Sequence, residues 1–271
     1  MDLIKALLLG ILEGLTEFLP VSSTGHLIVA SSLLDFTGAE AKVFAIAIQF
    51  GAILAVCWAQ KHKLAVVARG LFSDRTSQRF VANLLVAFLP AVVLGLLFHK
   101  IIKTYLFSPV TVAAALVVGG VVILWIESRP LHPRVDDIDA LRWPDALKIG
   151  FAQTLAMFPG VSRSGATIMG AMVLGLSREA ATLFSFFLAI PTMFGATVYD
   201  LYNSRALLSM GDFPLFAVGF VAAFVAALLT VRALLAYVAR HSFRAFAWYR
   251  IAFGGLILLT WLTGVVDWPS M

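Results

Sequence analysis

The chain has 271 residues, 61% of them hydrophobic and only 13% charged, against roughly one-half and one-quarter in a soluble domain. A water-soluble globule of this size could not hide so much apolar surface, so lipid must cover part of it. The net charge of +5 does not mark nucleic-acid binding, because the basic residues fall in short loops between apolar runs and form no basic helix face. Cys57 stands alone, which excludes an intramolecular disulfide and a thiol metal cluster. The first nineteen residues do not read as a cleavable signal peptide, since Glu13 and Glu17 interrupt the apolar stretch and Lys5 is its only base.

In chain order, the first element is an apolar segment, 3–34, broken at its centre by PVSSTG (20–25). Three uninterrupted apolar runs follow at about 41–60, 82–99 and 109–126. A second broken segment, 145–175, is centred on PGVSRSG (159–165), and three more runs lie at about 181–201, 213–231 and 246–266. Each unbroken run is long enough to cross hydrocarbon, which takes roughly 17–25 helical residues. In the broken segments Pro and Gly interrupt the helical ladder and Ser or Thr can cap the restart. Half-helices of about a dozen residues are too short to span. They suit re-entrant hairpins, tolerated where protein or a water-filled cavity surrounds the broken backbone.

Charge predicts orientation. Lys61, Lys63, Arg69, Arg75 and Arg79 follow the first span; Arg129, Arg134, Arg142 and Lys148 follow the third; Arg232, Arg240, Arg244 and Arg250 surround the start of the last. Lys5, Lys42, Lys100, Lys103 and Arg205 fall on the other side. By the positive-inside rule the first, larger set is cytoplasmic, and both termini face outward. Asp136, Asp137 and Asp139 read as a solvated loop.

The two broken segments align without a gap at an offset of 140 residues. Ala6, Leu7, Gly10, Leu15, Phe18, Val21, Ser22 and Gly25 match Ala146, Leu147, Gly150, Leu155, Phe158, Val161, Ser162 and Gly165. Each unit is a hairpin, which does not cross, followed by three spans, which do, so the second unit is inverted. The expected fold is an all-α polytopic membrane protein of one domain, with six transmembrane helices and two re-entrant hairpins in an inverted 3+3 repeat. Repeat 1 covers about 3–126 and repeat 2 about 145–266, with the hairpin tips meeting near the midplane.

Charges inside apolar segments are costly and mark function. Glu13 and Glu17 are four apart, so both carboxylates project from one helix face; oxygen ligands of this kind suit Mg²⁺ or Ca²⁺, which share phosphate oxygens readily. Ser22, Ser23 and Thr24 follow Pro20, where a restarting half-helix offers free N–H groups to an anion. One of these hydroxyls is a candidate nucleophile, with His26 the nearest base. The second copy has lost the acids, Gln153 and Met157 replacing them, and carries Arg163, whose planar donor fork suits phosphate oxygens. His62, His99, His132 and His241 sit at span ends or in loops and read as inert.

EGLTEFLPVSSTGH (13–26) and PGVSRSGAT (159–167) closely resemble the two signature motifs of undecaprenyl-diphosphate phosphatases of the bacitracin-resistance type, and the resemblance extends over essentially the whole chain. It implies a bacterial plasma-membrane hydrolase that cleaves an isoprenoid lipid diphosphate to the monophosphate and inorganic phosphate, recycling the carrier for peptidoglycan and conferring bacitracin resistance. By motif position it makes Glu13 and Glu17 the acidic pair tied to a divalent cation. Ser22, Ser23, Thr24 and His26 become the catalytic turn, and Arg163 with Gly25, Gly160, Ser162, Ser164 and Thr167 the diphosphate site. The site is expected to open to the periplasm. Whether Ser22, Ser23 or His26 attacks phosphorus stays open, as does self-association into a homo-oligomer. The competing reading is a prenyl-phosphate flippase built on the same inverted repeat.

Overall fold

A computed structural model describes residues 2–105, 108–205 and 213–265. Residue 266, where the last expected span ends, lies outside them, and so do the side chains of His99, Lys100 and Lys103. The described chain is helical: α1 (Leu3–Thr16), α2 (Ser23–Leu33), α3 (Ala39–Ala59), α4 (Lys61–Gly70), α5 (Arg75–Tyr105), α6 (Pro109–Glu127), α7 (Trp143–Thr154), α8 (Arg163–Val173), α9 (Arg178–Ser204), α10 (Phe213–Val238) and α11 (Arg244–Thr263). Six of these are long and apolar enough to cross a membrane: α3, α5, α6, α9, α10 and α11. They coincide with the six expected runs. Residues 61–70, expected as loop, form α4, a basic amphipathic helix carrying Lys61, Lys63 and Arg69.

The broken segments are the pairs α1/α2 and α7/α8, with members of 14, 11, 12 and 11 residues. Each member falls short of the roughly 20 residues that a crossing requires. The pairs pack in corresponding ways. α1 lies along α10 and α7 along α5, while α6 packs on α11 and α3 on α9. Repeat-matched glycines make the first two contacts close. Gly10 sits against the backbone carbonyl of Gly219 in α10, and Gly150 against that of Ala87 in α5, with no room for a Cβ at either. Gly14 continues the α1 contact; a Cβ there would stand 2.5 Å from the Ala223 carbonyl oxygen. Glycine at these positions lets helix backbones approach in the way that small residues do between membrane helices.

The loop beyond α6 is fastened down rather than freely solvated. Val135 pairs with Leu176 in an isolated bridge, and Arg134 donates to Asp145 at 3.0 Å and to the Leu174 carbonyl. Asp139 pairs with Lys63. Glu127, buried at the end of α6, receives Arg178 from α9 and the Phe243 amide at 2.9 Å, tying three helix ends together. The main core includes Phe18, Phe184, Phe186 and Phe187. Phe18 of the first turn meets Phe186 edge-on at 5.5 Å between centroids.

Candidate active site

Both turns are built the same way. Ser22 and Ser162 cap α2 and α8 with φ of 70° and 73°, a left-handed conformation that costs a non-glycine residue energy and is found at functional sites. Each hydroxyl accepts the amide three residues on, Gly25 at 3.4 Å and Gly165 at 3.1 Å. The caps hold the first N–H groups of two half-helices at the place where the turns meet.

Contact between the turns is direct. Arg163 donates through one guanidinium nitrogen to Glu17 at 3.3 Å and through another to the Ser185 carbonyl at 3.3 Å. The second oxygen of Glu17 accepts from the Ser23 hydroxyl. Ser164 donates to the Leu19 carbonyl at 2.7 Å. An acid and a hydroxyl of the first motif thereby share one chain of charge-assisted bonds with the arginine of the second. Glu17, Ser22, Ser23, Thr24, Gly160, Ser162 and Arg163 all reach the wall of a cavity of about 630 Å³. Its remaining wall is largely apolar, with Phe88, Val92 and Leu96 of α5, Met157, and Met193 of α9. The lining thus combines groups suited to an anion with surface suited to a hydrocarbon chain.

The other expected residues take different places. Glu13 is 1% exposed, in α1 one turn before Glu17, and its Oε2 has no partner. His26 is buried behind the wall. Its Nδ1 donates to the Ser22 carbonyl at 2.8 Å, which leaves Nε2 to accept from the Tyr249 hydroxyl at 2.7 Å. Neither ring nitrogen reaches a serine hydroxyl, so Ser23 is partnered by Glu17 rather than by the expected histidine. Ser164 and Thr167 are fully buried, and their hydroxyls join protein to protein; Thr167 meets the Ser185 hydroxyl at 2.5 Å. Thr24 is exposed toward the cavity, whereas Gly25 lies against Val112 and Leu116 of α6.

Arg250, expected only as one of the cytoplasmic charges around the start of the last span, belongs to the site. It is 0% exposed inside α11. Its five N–H donors go to the carbonyls of Leu116, Pro20, Val161, Ala115 and Gly160, at 3.0 to 3.2 Å. Pro20 belongs to the first turn, and Gly160 and Val161 belong to the second. Gly119 makes room for the guanidinium, since a Cβ there would overlap it. The signal was present in FAWYRIAFGG (246–255), an arginine inside an apolar run, where the rule applied to Arg163 holds equally.

The family model of the bacitracin resistance protein BacA matches residues 6–256. An undecaprenyl-diphosphatase of Aromatoleum aromaticum is 61% identical over 265 residues, covering 98% of this chain and 97% of that one. Undecaprenyl-diphosphatase 2 of Rhodospirillum rubrum is 60% identical over 269 residues, covering 99% and 98%. Undecaprenyl-diphosphatase 1 of Pseudomonas fluorescens is 58% identical over 267 residues, covering 98% and 97%. Since the match runs through both turns, five of the six long helices and the sixth as far as residue 256, this chain belongs to the bacitracin resistance protein BacA family.

Proposed function

We propose that the chain is an integral-membrane phosphatase of the bacterial plasma membrane that hydrolyses undecaprenyl diphosphate to undecaprenyl phosphate and inorganic phosphate. This activity returns the lipid carrier to cell-wall synthesis and confers bacitracin resistance. The observation that carries the reading is the Arg163–Glu17–Ser23 chain on the wall of a cavity whose lining is otherwise largely apolar. The names borne by full-length relatives at 58–61% identity supply the substrate.

In the proposed reaction Arg163 and the free amides opening α2 and α8 receive the diphosphate oxygens. The Ser23 oxygen attacks the terminal phosphorus while its proton passes to Glu17. The bond from that phosphorus to the bridging oxygen breaks, and prenyl monophosphate leaves as an anion. The departing monophosphate takes that proton from Glu17, which frees the carboxylate again. Water then attacks the phosphoserine and gives a proton to Glu17, which passes it to the Ser23 oxygen as the phosphorus–oxygen bond breaks, so inorganic phosphate is released and the hydroxyl restored. This assigns the base to Glu17, because that carboxylate holds the Ser23 hydroxyl. His26 becomes the residue that fixes the start of α2 through Ser22 and Tyr249.

A divalent cation, Mg²⁺ or Ca²⁺, is the proposed cofactor. Glu13 and Glu17 would hold it, and the buried, unpartnered Glu13 Oε2 is a donor suited to one. Among the described residues no group of three His, Cys, Asp or Glu surrounds the position, so phosphate oxygens and water would complete the shell. Such an ion neutralises charge on the diphosphate.

The two helix pairs are proposed as re-entrant hairpins of an inverted repeat, the first entered from the periplasm and the second from the cytoplasm. Matched left-handed caps at Ser22 and Ser162, matched close contacts at Gly10 and Gly150, and the positive-inside charge pattern support this. The site then opens to the periplasm, and both termini lie on that side.

Purified protein in detergent should release phosphate from undecaprenyl diphosphate, lose that activity on chelation and regain it with Mg²⁺ or Ca²⁺. Glu13→Gln should raise the metal concentration needed by about tenfold or more. Detergent leaves no second compartment, so binding without phosphate release would favour the flippase reading. Full activity in excess chelator would remove the cation.

A further inference from the structure

Gln153 occupies the position in α7 that matches Glu13 in α1, ten residues before Arg163, and the mechanism above does not use it. It is 3% exposed, yet it lines the same cavity as Arg163 and Ser23. Its Oε1 lies 3.2 Å from the Thr192 hydroxyl, and its Nε2 has no partner. The Thr192 hydroxyl also lies 2.7 Å from the Leu188 carbonyl of its own helix, and it has one proton to give. When that proton goes to Leu188, the amide can turn over and donate to Thr192. In either orientation one polar atom of the amide is left without a protein partner. Buried polar groups in native proteins are almost always satisfied, and an exception calls for a ligand or water to complete it.

The ligand's chemistry follows from the neighbours. Arg163 and the two helix starts make this end of the cavity a place for an anion, so the donor-outward orientation is the one that a ligand stabilises. A glutamate, such as Glu13 in the matching position, would repel that anion. Gln49 of α3, a second amide inside an apolar span, reaches the same wall.

We propose that Gln153 is a substrate-binding residue whose amide N–H donates to an oxygen of the lipid diphosphate, with Thr192 orienting the amide from behind. The inference rests on the phosphatase reading of this cavity and adds to it a neutral donor on the side of the second helix pair.

The test uses the purified full-length protein with Gln153→Met, which keeps side-chain length and removes both polar atoms, and Gln153→Glu, which keeps shape and adds charge. A hydrogen bond to a charged group is worth about one to two powers of ten in affinity. Gln153→Met is therefore expected to raise KM for undecaprenyl diphosphate about tenfold while kcat stays within about threefold, the signature of binding shared by ground and transition states. Gln153→Glu should raise KM further and recover part of it as pH falls and the new carboxyl is protonated. The same variants are also measured for binding of a prenyl methylenediphosphonate, in which carbon replaces the bridging oxygen. That probe still reports on Gln153 if the protein turns out not to hydrolyse, so the two readings fail separately. Wild-type KM and wild-type affinity for the phosphonate in Gln153→Met would overturn the inference. So would a fall in kcat alone with affinity unchanged.

Discussion

Arg163→Ala is expected to lower kcat/KM for undecaprenyl diphosphate by about a thousandfold, measured as phosphate release from purified protein. One preorganised donor to developing phosphate charge is worth about 10² to 10³ in rate, and an arginine facing a transferred phosphoryl group up to 10⁵. The site amplifies the term, because the guanidinium is held on two sides, by Glu17 and the Ser185 carbonyl, before substrate arrives. The substitution also leaves Glu17 buried with one partner fewer, which by itself destabilises. Arg163→Lys separates the two effects. It keeps the charge beside Glu17 and loses the fork, so it should retain the wild-type melting temperature in detergent while losing most of the activity. Wild-type turnover by Arg163→Ala would remove the clamp role altogether.

Arg250→Leu is expected to have the largest effect on folding of any single substitution in the chain. It removes a donor from five carbonyls at once. Those of Ala115 and Leu116 keep their helical partners in α6, but the three in the two turns are left unpaired, and each such buried carbonyl costs about 1–3 kcal/mol. The sum is comparable with the whole stability of an ordinary domain, about 5–15 kcal/mol. The variant should therefore fail to accumulate as monodisperse protein. Arg250→Lys keeps the charge but brings three donors for five acceptors. It should fold, melt at a lower temperature in detergent, and lose activity more steeply than stability, because the turns that carry Ser23 and Arg163 are no longer pinned to one another. An Arg250→Leu protein with wild-type melting behaviour would show that the turns hold their geometry without it.

These residues also mark how far the sequence alone reaches. Apolar run length located all six long helices, since the hydrocarbon thickness sets a minimum that few soluble helices meet. The 140-residue offset picked out Gly10 with Gly150 and Ser22 with Ser162 because backbone contact and left-handed φ leave a trace in residue type. α4 was missed because its charges read as loop when no tertiary partner is in view. The pairing of His26 with Tyr249 spans 223 residues and carries no local signature. Ser23 prefers Glu17 to the histidine three residues away because the turn at 17–22 folds the end of α1 back over the start of α2, a geometry that residue spacing does not encode. Arg250 is legible as the fifth residue of the apolar run 246–266, a place that a topology charge at a span end does not need.

Single-turnover phosphate release by purified Ser23→Ala, with enzyme in excess over undecaprenyl diphosphate and metal saturating, bears most directly on the proposed chemistry. A rate about a thousandfold or more below wild type is expected, with binding of the lipid diphosphate retained. Release at close to the wild-type rate would contradict it and shift the attack on phosphorus to another group.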